Sequence, residues 1–411
     1  MEDSMQDSKL INDPVFGFIK IPKGLLYDIV KHPYMQRLSR IKQLGLSSVV
    51  YPGAQHTRFQ HSLGAFFLMT EAIEQLKRKG HFIFDSEAEA AKAAILLHDI
   101  GHGPFSHVLE YTLTKDISHE QISLLLMEKM NEEMNGALSL AIKVFKGEHP
   151  KKYLHQLVSG QLDMDRMDYL RRDSFFTGVP EGSIGSARII KMLNLKEEQL
   201  VVDEKGIYSI ENFLIARRLM YWQVYLHRTC ITYENMLIST LSRAKELAKR
   251  GVSLFASPAL HYFLYNDVDK KSFYEGDEAL NNFIQLDDND IWTSLKVWSN
   301  NEDKILSLLS SGMINRQLFK TEISSEVFNE RAINDIRKQV SKHLNISTEE
   351  AKYFVSSGII GNKMYDPFDN SIDLLYKDGS LKNISEISDI LNVTSLSKRV
   401  NKYYFSHFRI D

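Results

Sequence analysis

The sequence predicts a mainly α-helical protein with a smaller α+β region toward its C-terminus. Apolar residues recur at three- and four-residue spacing through most of the first 250 positions, the period of an amphipathic helix. Beyond residue 315 that pattern gives way to short β-branched and aromatic strings beside a turn signal, the mark of strands. With 411 residues, 43% of them hydrophobic and 25% charged, the chain can bury a full core. The change of character divides it into a helical core over 1–250 and a helical and small α+β region over 251–411.

The elements follow in order. Residues 14–22 alternate apolar and polar around Gly17 and read as a short hairpin. From Gly24 to Leu44, residues such as Leu26, Ile29, Val30, Met35, Leu38 and Ile41 keep helical spacing, with Pro33 separating two helices. Helical patterning then covers 58–79, 86–99, 118–134, 138–147 and 150–171, and resumes over 184–194 and a long segment, 210–249. Residues 254–312 read as short helices joined by loops such as Leu286–Asp290. The strand strings are 317–323, 353–355 and 372–376, the last running into Lys377-Asp378-Gly379-Ser380, a hairpin turn signal. A helix over 328–343 separates the first two, so roughly 315–390 reads as a small α+β appendage.

A formal net charge of −3 gives no global pull toward nucleic acid. The single cysteine, Cys230, excludes an internal disulfide and a cysteine-based zinc cluster, which fits a reducing compartment. Met1–Asp7 is acidic and polar, unlike a secretory signal, and the apolar stretch Ala93–Leu97 is broken at once by His98 and Asp99. The expectation is a cytoplasmic protein without a membrane partner.

The chemistry concentrates in the run from His98 to His107, with His61 upstream and the carboxylates Asp163, Asp165 and Asp168 downstream. Ala90 to Leu97 is strongly helix-forming, whereas Gly101, Gly103 and Pro104 cannot continue a helix, so His98 and Asp99 stand near a helix C-terminus. A cation there meets the negative end of the macrodipole. An isolated His-Asp pair is usually an ion-paired helix end; the neighbouring histidines point instead to a divalent metal ion held by imidazole and carboxylate. Adjacent helical residues diverge by about 100°, so further ligands must come from elsewhere: His61 and one of Asp163, Asp165 or Asp168. Arg58 lies three residues before His61, on one helical face, and a cation beside a metal ligand makes sense when an anion such as a phosphate bridges them. Cleaving a phosphate ester also needs a proton for the leaving oxygen, for which His102, His107 and His119, the last followed by Glu120, are candidates. His81, His149, His261, His343 and His407 read as surface or structural residues.

A series of segments extends this constellation: Asp13-Pro14-Val15-Phe16-Gly17, Gln36-Arg37-Leu38, Ile41-Lys42-Gln43-Leu44-Gly45, Tyr51-Pro52-Gly53-Ala54 and Arg58-Phe59-x-His61-Ser62-Leu63-Gly64. It continues through His98 to His107, His119-Glu120 and Asp163-x-Asp165-x-x-Asp168-Tyr169-x-x-Arg172-Asp173. In order and spacing, over roughly residues 13–240, these segments resemble the HD-domain superfamily of phosphohydrolases. They resemble most its branch of deoxynucleoside triphosphate (dNTP) triphosphohydrolases, which includes the animal enzyme with a sterile-alpha-motif domain and bacterial relatives.

The resemblance implies an HD-domain helical core, with metal ligation by His61, His98, Asp99 and Asp165. It implies a catalytic group of His102, His119 and Glu120 with His107 beside them, and Arg58 on the phosphates. Tyr169 and Asp173 match positions that contact the sugar, and Gln43 and Leu44 match the base and sugar side. On the long helical segment, Arg217, Tyr225, His227 and Arg228 match a second wall, with Tyr225 crowding the 2′ position. The implied reaction releases deoxynucleoside and inorganic triphosphate with the help of a divalent ion (Mn, Fe, Mg, Ni or Zn), in a homo-oligomer, dimer or tetramer, with a possible nucleotide effector. Two departures stand out. Lys31 and Ser39 occupy positions where guanine-nucleotide-activated members carry an acidic residue and an arginine, which argues against GTP activation at that place. The resembling core also begins within about ten residues of Met1, so a sterile-alpha-motif domain is not expected before it. Other readings are an HD hydrolase acting on a phosphodiester, a monophosphate or a ribonucleotide signal, or a nucleotide-binding regulatory subunit with weak turnover.

Overall fold

A computed structural model describes residues 8–362, 371–388 and 400–410; Met1–Asp7 and parts of the expected 315–390 appendage lie outside them. The chain is mainly helical, with three small sheets among the described residues. The N-terminal hairpin pairs Ser8–Asp13 with Gly17–Pro22, starting earlier than the alternation around Gly17 suggests. Its first strand is largely exposed and so carries little apolar signal. Pro33 begins the helix Pro33–Arg37, and His32 ends Leu25–Lys31.

Three helices form the frame of the core. Arg58–Arg78 packs between Asp85–Leu97 and Met164–Thr177. A capping box at Thr57 and Gln60 starts the first. The expected 150–171 helix is two, Lys152–Val158 and Met164–Thr177, because Asp163 caps a new helix after the Ser159-Gly160 break. Likewise 184–194 is a helix only over Ser186–Met192. A hairpin follows, Leu193–Lys196 with Gln199–Asp203, turning at Glu197 and Glu198, both with positive φ.

The long 210–249 segment is also interrupted. Ile207–Met220 passes into a π-helical turn, Tyr221–Tyr225, and a new helix, Arg228–Lys249, is capped by His227. Periodicity alone cannot show such a break, since the apolar stripe continues through it.

Elements after residue 250 pack on this core. The expected loop at 286–290 ends in the capped start of Asp288–Trp298, and it is pinned to the core. Arg37 Nε donates to the Leu286 carbonyl (3.0 Å) and the Lys42 N–H to Asp288 Oδ2 (3.0 Å). Lys320–Ser324, Val400–His407 and Val355–Asn362 form an antiparallel sheet with the 400–407 strand in the middle. Residues 353–354 end a 3₁₀ turn rather than a strand. Asp373–Leu375 makes the expected hairpin with Leu381–Asn383, and also pairs in parallel with Gln199–Asp203. One four-stranded sheet is thus built from both sides of residue 250. No helix among the described residues is long and apolar enough to cross a membrane.

Candidate metal centre and nucleotide cavity

Capping at Thr57 puts Arg58 and His61 on one face of the first turn of their helix. His98 is the C-cap of Asp85–Leu97, and the turn after it is tied to the helix His119–Glu133: Gly101 N–H donates to Ser123 Oγ (2.9 Å), and Ser123 Oγ–H donates to the His98 carbonyl (2.8 Å). A Cβ at Gly101 would run into the backbone of His119 and Ser123, so this approach requires glycine. Asp163, capping Met164–Thr177, sets Asp165 in its first turn.

These elements bring four side chains to one point. His61 Nε2 and His98 Nε2 are 3.3 Å apart, and Asp165 Oδ1 lies 3.1 Å from the first and 3.5 Å from the second. Asp99 approaches with Oδ1 3.4 Å from His98 Nε2 and Oδ2 3.8 Å from His61 Nε2. His61, His98 and Asp99 form a cluster that could hold a metal ion, the three sharing one small volume with one ligand atom each.

The tautomers are assigned by the partners. His61 Nδ1 faces Asp168 Oδ2 at 2.7 Å, and that carboxylate, held low by Arg172 and His61 against the cost of burial, can only accept. His98 Nδ1 faces the Ile95 carbonyl at 2.7 Å. Both Nδ1 atoms therefore donate, which directs both Nε2 lone pairs to the shared point, as metal-binding imidazoles require. Without a cation, burial disfavours the charged His61 ring, but Asp165, Asp168 and Asp99 outweigh it and raise its pKa to about 10. Burial opposes ionisation of Asp99 and Asp165 too, yet the adjacent imidazoles, joined by Arg58 at Asp99, hold both carboxyls well below the usual range. A divalent cation would replace protons in a site already arranged around positive charge.

Beside this centre stands a second group of histidines. The His102 and His119 rings stack at 3.9 Å. Ser106 Oγ–H donates to the Gly103 carbonyl (2.8 Å); His102 Nδ1 lies 2.7 Å from Ser106 Oγ and its Nε2 3.2 Å from Asp99 Oδ1, so the ring is held at both nitrogens. Burial, then the Arg58 charge, push His102 down to about 3, so its ring is neutral at physiological pH. His119 does not pair with Glu120, which is exposed; its Nδ1 donates to Glu110 Oε1 at 2.9 Å. Glu110 sits on Ser106–Thr112, three residues after His107, and its Oε2 is 3.9 Å from the mostly exposed His107. Burial would raise the Glu110 carboxyl, but the nearby His107 imidazole and the hydrogen-bonded His119 hold it far below its ordinary value.

A cavity of about 360 Å³ opens next to these groups. Gln43, Leu44, Arg58, His107, Tyr169, Asp173 and Tyr225 line it, as does Glu234, for which the sequence offers no signal. Arg58 Nη1 donates to Asp99 Oδ2 (2.6 Å), joining the cavity to the metal cluster. Asp173 uses both oxygens within the protein, accepting from His56 Nε2 (2.7 Å) and Tyr225 Oη (2.8 Å), so in this state it braces Tyr225. The Tyr225 ring lies edge-on to Tyr169 and Tyr221, packing made possible by the π-helical turn.

Three residues of the expected second wall stand apart from the cavity lining. Arg217 is buried and donates to Gln161 Oε1 (3.1 Å), His227 accepts the Thr229 N–H as a helix cap, and Arg228 is exposed. Arg166, which the sequence reading passed over, follows Asp165 and pairs with the buried Asp163. The Nε–H groups of Arg58, Arg166 and Arg217 are buried without a partner among the described residues, and of the three Arg58 lines the cavity.

Residues 58–173 match the HD domain family and residues 184–255 the HD associated region. The uncharacterized protein YwfO of Bacillus subtilis is 32% identical over 98% of this chain and 93% of its own length. The crystal structure of a phosphohydrolase from Bacteroides thetaiotaomicron has a TM-score of 0.96 and 70% identity, covering 98% of this chain and 100% of that one. The chain belongs to the HD-domain phosphohydrolases. Within that family it is similar to the human deoxynucleoside triphosphate triphosphohydrolase SAMHD1, with 27% identity over 58% of this chain and 45% of that protein. The chain thus spans about half the length of that relative.

Proposed function

We propose that this HD-domain protein is a metal-dependent dNTP triphosphohydrolase, releasing a deoxynucleoside and inorganic triphosphate. The observation that carries the reading is the convergence of the His61 and His98 Nε2 atoms with Asp99 and Asp165, beside Arg58 at the wall of a nucleotide-sized cavity. The similarity to the triphosphohydrolase SAMHD1 supports the substrate class.

A divalent cation on His61, His98, Asp99 and Asp165 would supply an activated water and a Lewis acid at the α-phosphate. The chain's own residues do the rest. Arg58, on the cavity wall, offers an unpartnered Nε–H to phosphate oxygens, while Arg166 and Arg217, outside the lining, add positive charge near Tyr169. His102, neutral beside Asp99 and stacked on His119, orients the attacking water. His119, oriented by Glu110, gives a proton to the leaving 5′-oxygen, with His107 on the cavity side of the same carboxylate. Tyr169 and the Asp173-braced Tyr225 face the sugar, where Tyr225 crowds a 2′-hydroxyl, and Gln43 and Leu44 lie along the sugar and base. His227 acts in this scheme only as the cap of Arg228–Lys249, and the exposed Arg228 lies outside the cavity. A homo-oligomer (dimer or tetramer) and a nucleotide effector belong to the same reading by family likeness, and a cytoplasmic location by the single cysteine and the acidic, polar N-terminus.

The test is incubation of the Mn²⁺-loaded protein with the four dNTPs, singly and mixed, with product identification. Unbroken triphosphate and a deoxynucleoside are expected. Orthophosphate or an opened phosphodiester would move the substrate to another nucleotide, and tight binding without release would favour a regulatory subunit. Activity only in the mixture would reveal an effector.

A further inference from the structure

A buried ionic chain runs from the N-terminal hairpin to His61. Asp13 closes the hairpin turn, where its Oδ1 accepts the N–H groups of Val15 and Phe16 (2.9 Å each). Its Oδ2 accepts from Arg172 Nη1 at 2.7 Å. Arg172 presents its remaining edge to Asp168 as a fork, Nε to Oδ2 at 2.9 Å and Nη2 to Oδ1 at 3.0 Å. Asp168 Oδ2 in turn accepts from His61 Nδ1 at 2.7 Å. None of the four is more than 7% exposed. Gly64, one turn after His61, leaves the space: a Cβ there would collide with the Asp168 carboxylate and the Arg172 guanidinium. The Phe16 ring lies 5.7 Å from Arg172 Cζ and 5.1 Å from the Phe67 ring, on the helix that carries His61.

We propose that Asp13 and Arg172 are positioning residues of the metal centre, through which the hairpin sets the direction of the His61 Nε2 lone pair. The proposal rests on the metal reading above. A lone carboxylate opposite His61 could pivot about its Cβ–Cγ bond; the bidentate guanidinium fixes its plane. Arg172 itself is held by Asp13, because losing that partner leaves a charged donor buried and unpaired, free to pull Asp168 away from the imidazole. Because the chain is buried, salt screens its charge pairs little, so they hold at ordinary ionic strength. A plain structural staple has no need to end on Nδ1 of an imidazole whose Nε2 stands 3.1 Å from Asp165.

The test compares the full-length wild type, Asp13→Asn, Asp168→Asn and the double variant for Mn²⁺ affinity by calorimetry and for the EPR signal of bound Mn²⁺. Asparagine at 13 keeps an oxygen for Val15 and Phe16 while removing the charge that holds Arg172. D168N should weaken Mn²⁺ binding by about 10–100-fold and D13N, one link further away, by about 3–10-fold. The double variant should match D168N alone, because both act through one bond. An affinity for D13N equal to wild type, or losses that multiply in the double variant, would overturn the proposal even if the apo protein melts lower. Should D13N fail to fold, Arg172→Lys replaces it, keeping the charge and losing the fork, with the same expected loss. A wild type that binds no divalent ion overturns the underlying metal reading as well.

Discussion

His61 and His98 each commit Nδ1 to a fixed acceptor, and their value as ligands comes from that commitment. His61→Ala or Asp99→Ala should abolish metal binding and hydrolysis while leaving the fold, measured by metal analysis and circular dichroism. Retained metal or activity in either would sink the ligand set. His119 has a different place, stacked on His102 and bonded to Glu110, so His119→Ala should keep the metal and slow turnover by about 10²–10⁴-fold. Metal loss in that variant would instead make His119 a ligand. Glu234 brings a pH dependence. Burial, partly countered by His107, pushes its carboxyl up to about 6, so it is neutral below that pH and anionic above it. An anion in the cavity repels polyphosphate. KM for the nucleotide should therefore rise as pH climbs through about 6, and Glu234→Gln should flatten that limb of the KM profile.

At the scale of elements, turns rather than helices place the chemistry. The helices Arg58–Arg78, Asp85–Leu97 and His119–Glu133 lie within a residue or two of the ranges their apolar period predicts, because capping residues mark their ends. The break at Ser159-Gly160 and the π-helical turn at Tyr221–Tyr225 escape that pattern, yet they set Asp165 and Tyr225. Gly101 shows how little room such a turn leaves. Gly101→Ala would press a methyl against backbone at His119 and Ser123 that cannot rotate away. It should cost about 1–3 kcal/mol of stability and push His119 off His102. Denaturant unfolding and kcat at saturating metal would check this, with turnover expected to fall more than metal affinity.

For the whole molecule, residues on both sides of position 250 share structure. Gln199–Asp203 takes a parallel partner in Asp373–Leu375, Arg228–Lys249 packs on Lys304–Ile314, and the buried Arg37 guanidinium bridges the carbonyls of Leu286 and Ile100. A fragment of residues 1–250 would strand Arg37 as a buried charge with one acceptor gone and bare an apolar helix face. It should show no cooperative thermal transition by circular dichroism, whereas the full chain should. A fragment that melts cooperatively and binds Mn²⁺ would establish the N-terminal region as a self-sufficient unit.

The helical class, the helix ends marked by caps and glycines, and the ordered series of histidines and carboxylates that carries the family likeness are all legible along the chain. These are local matters: a period of 3.6 residues, a Gly-His-Gly-Pro interruption and a capping Ser or Thr act within one or two turns of chain. Which groups face each other depends on how the elements pack. Glu110 rather than Glu120 serves His119, Asp163 holds Arg166, and Asp173 braces Tyr225. The same packing places Glu234 in the cavity and leaves Arg228 outside it. The reason is physical. Side-chain pairing depends on the relative rotation and distance of packed helices, set jointly by many distant core residues, and no window of sequence contains that information.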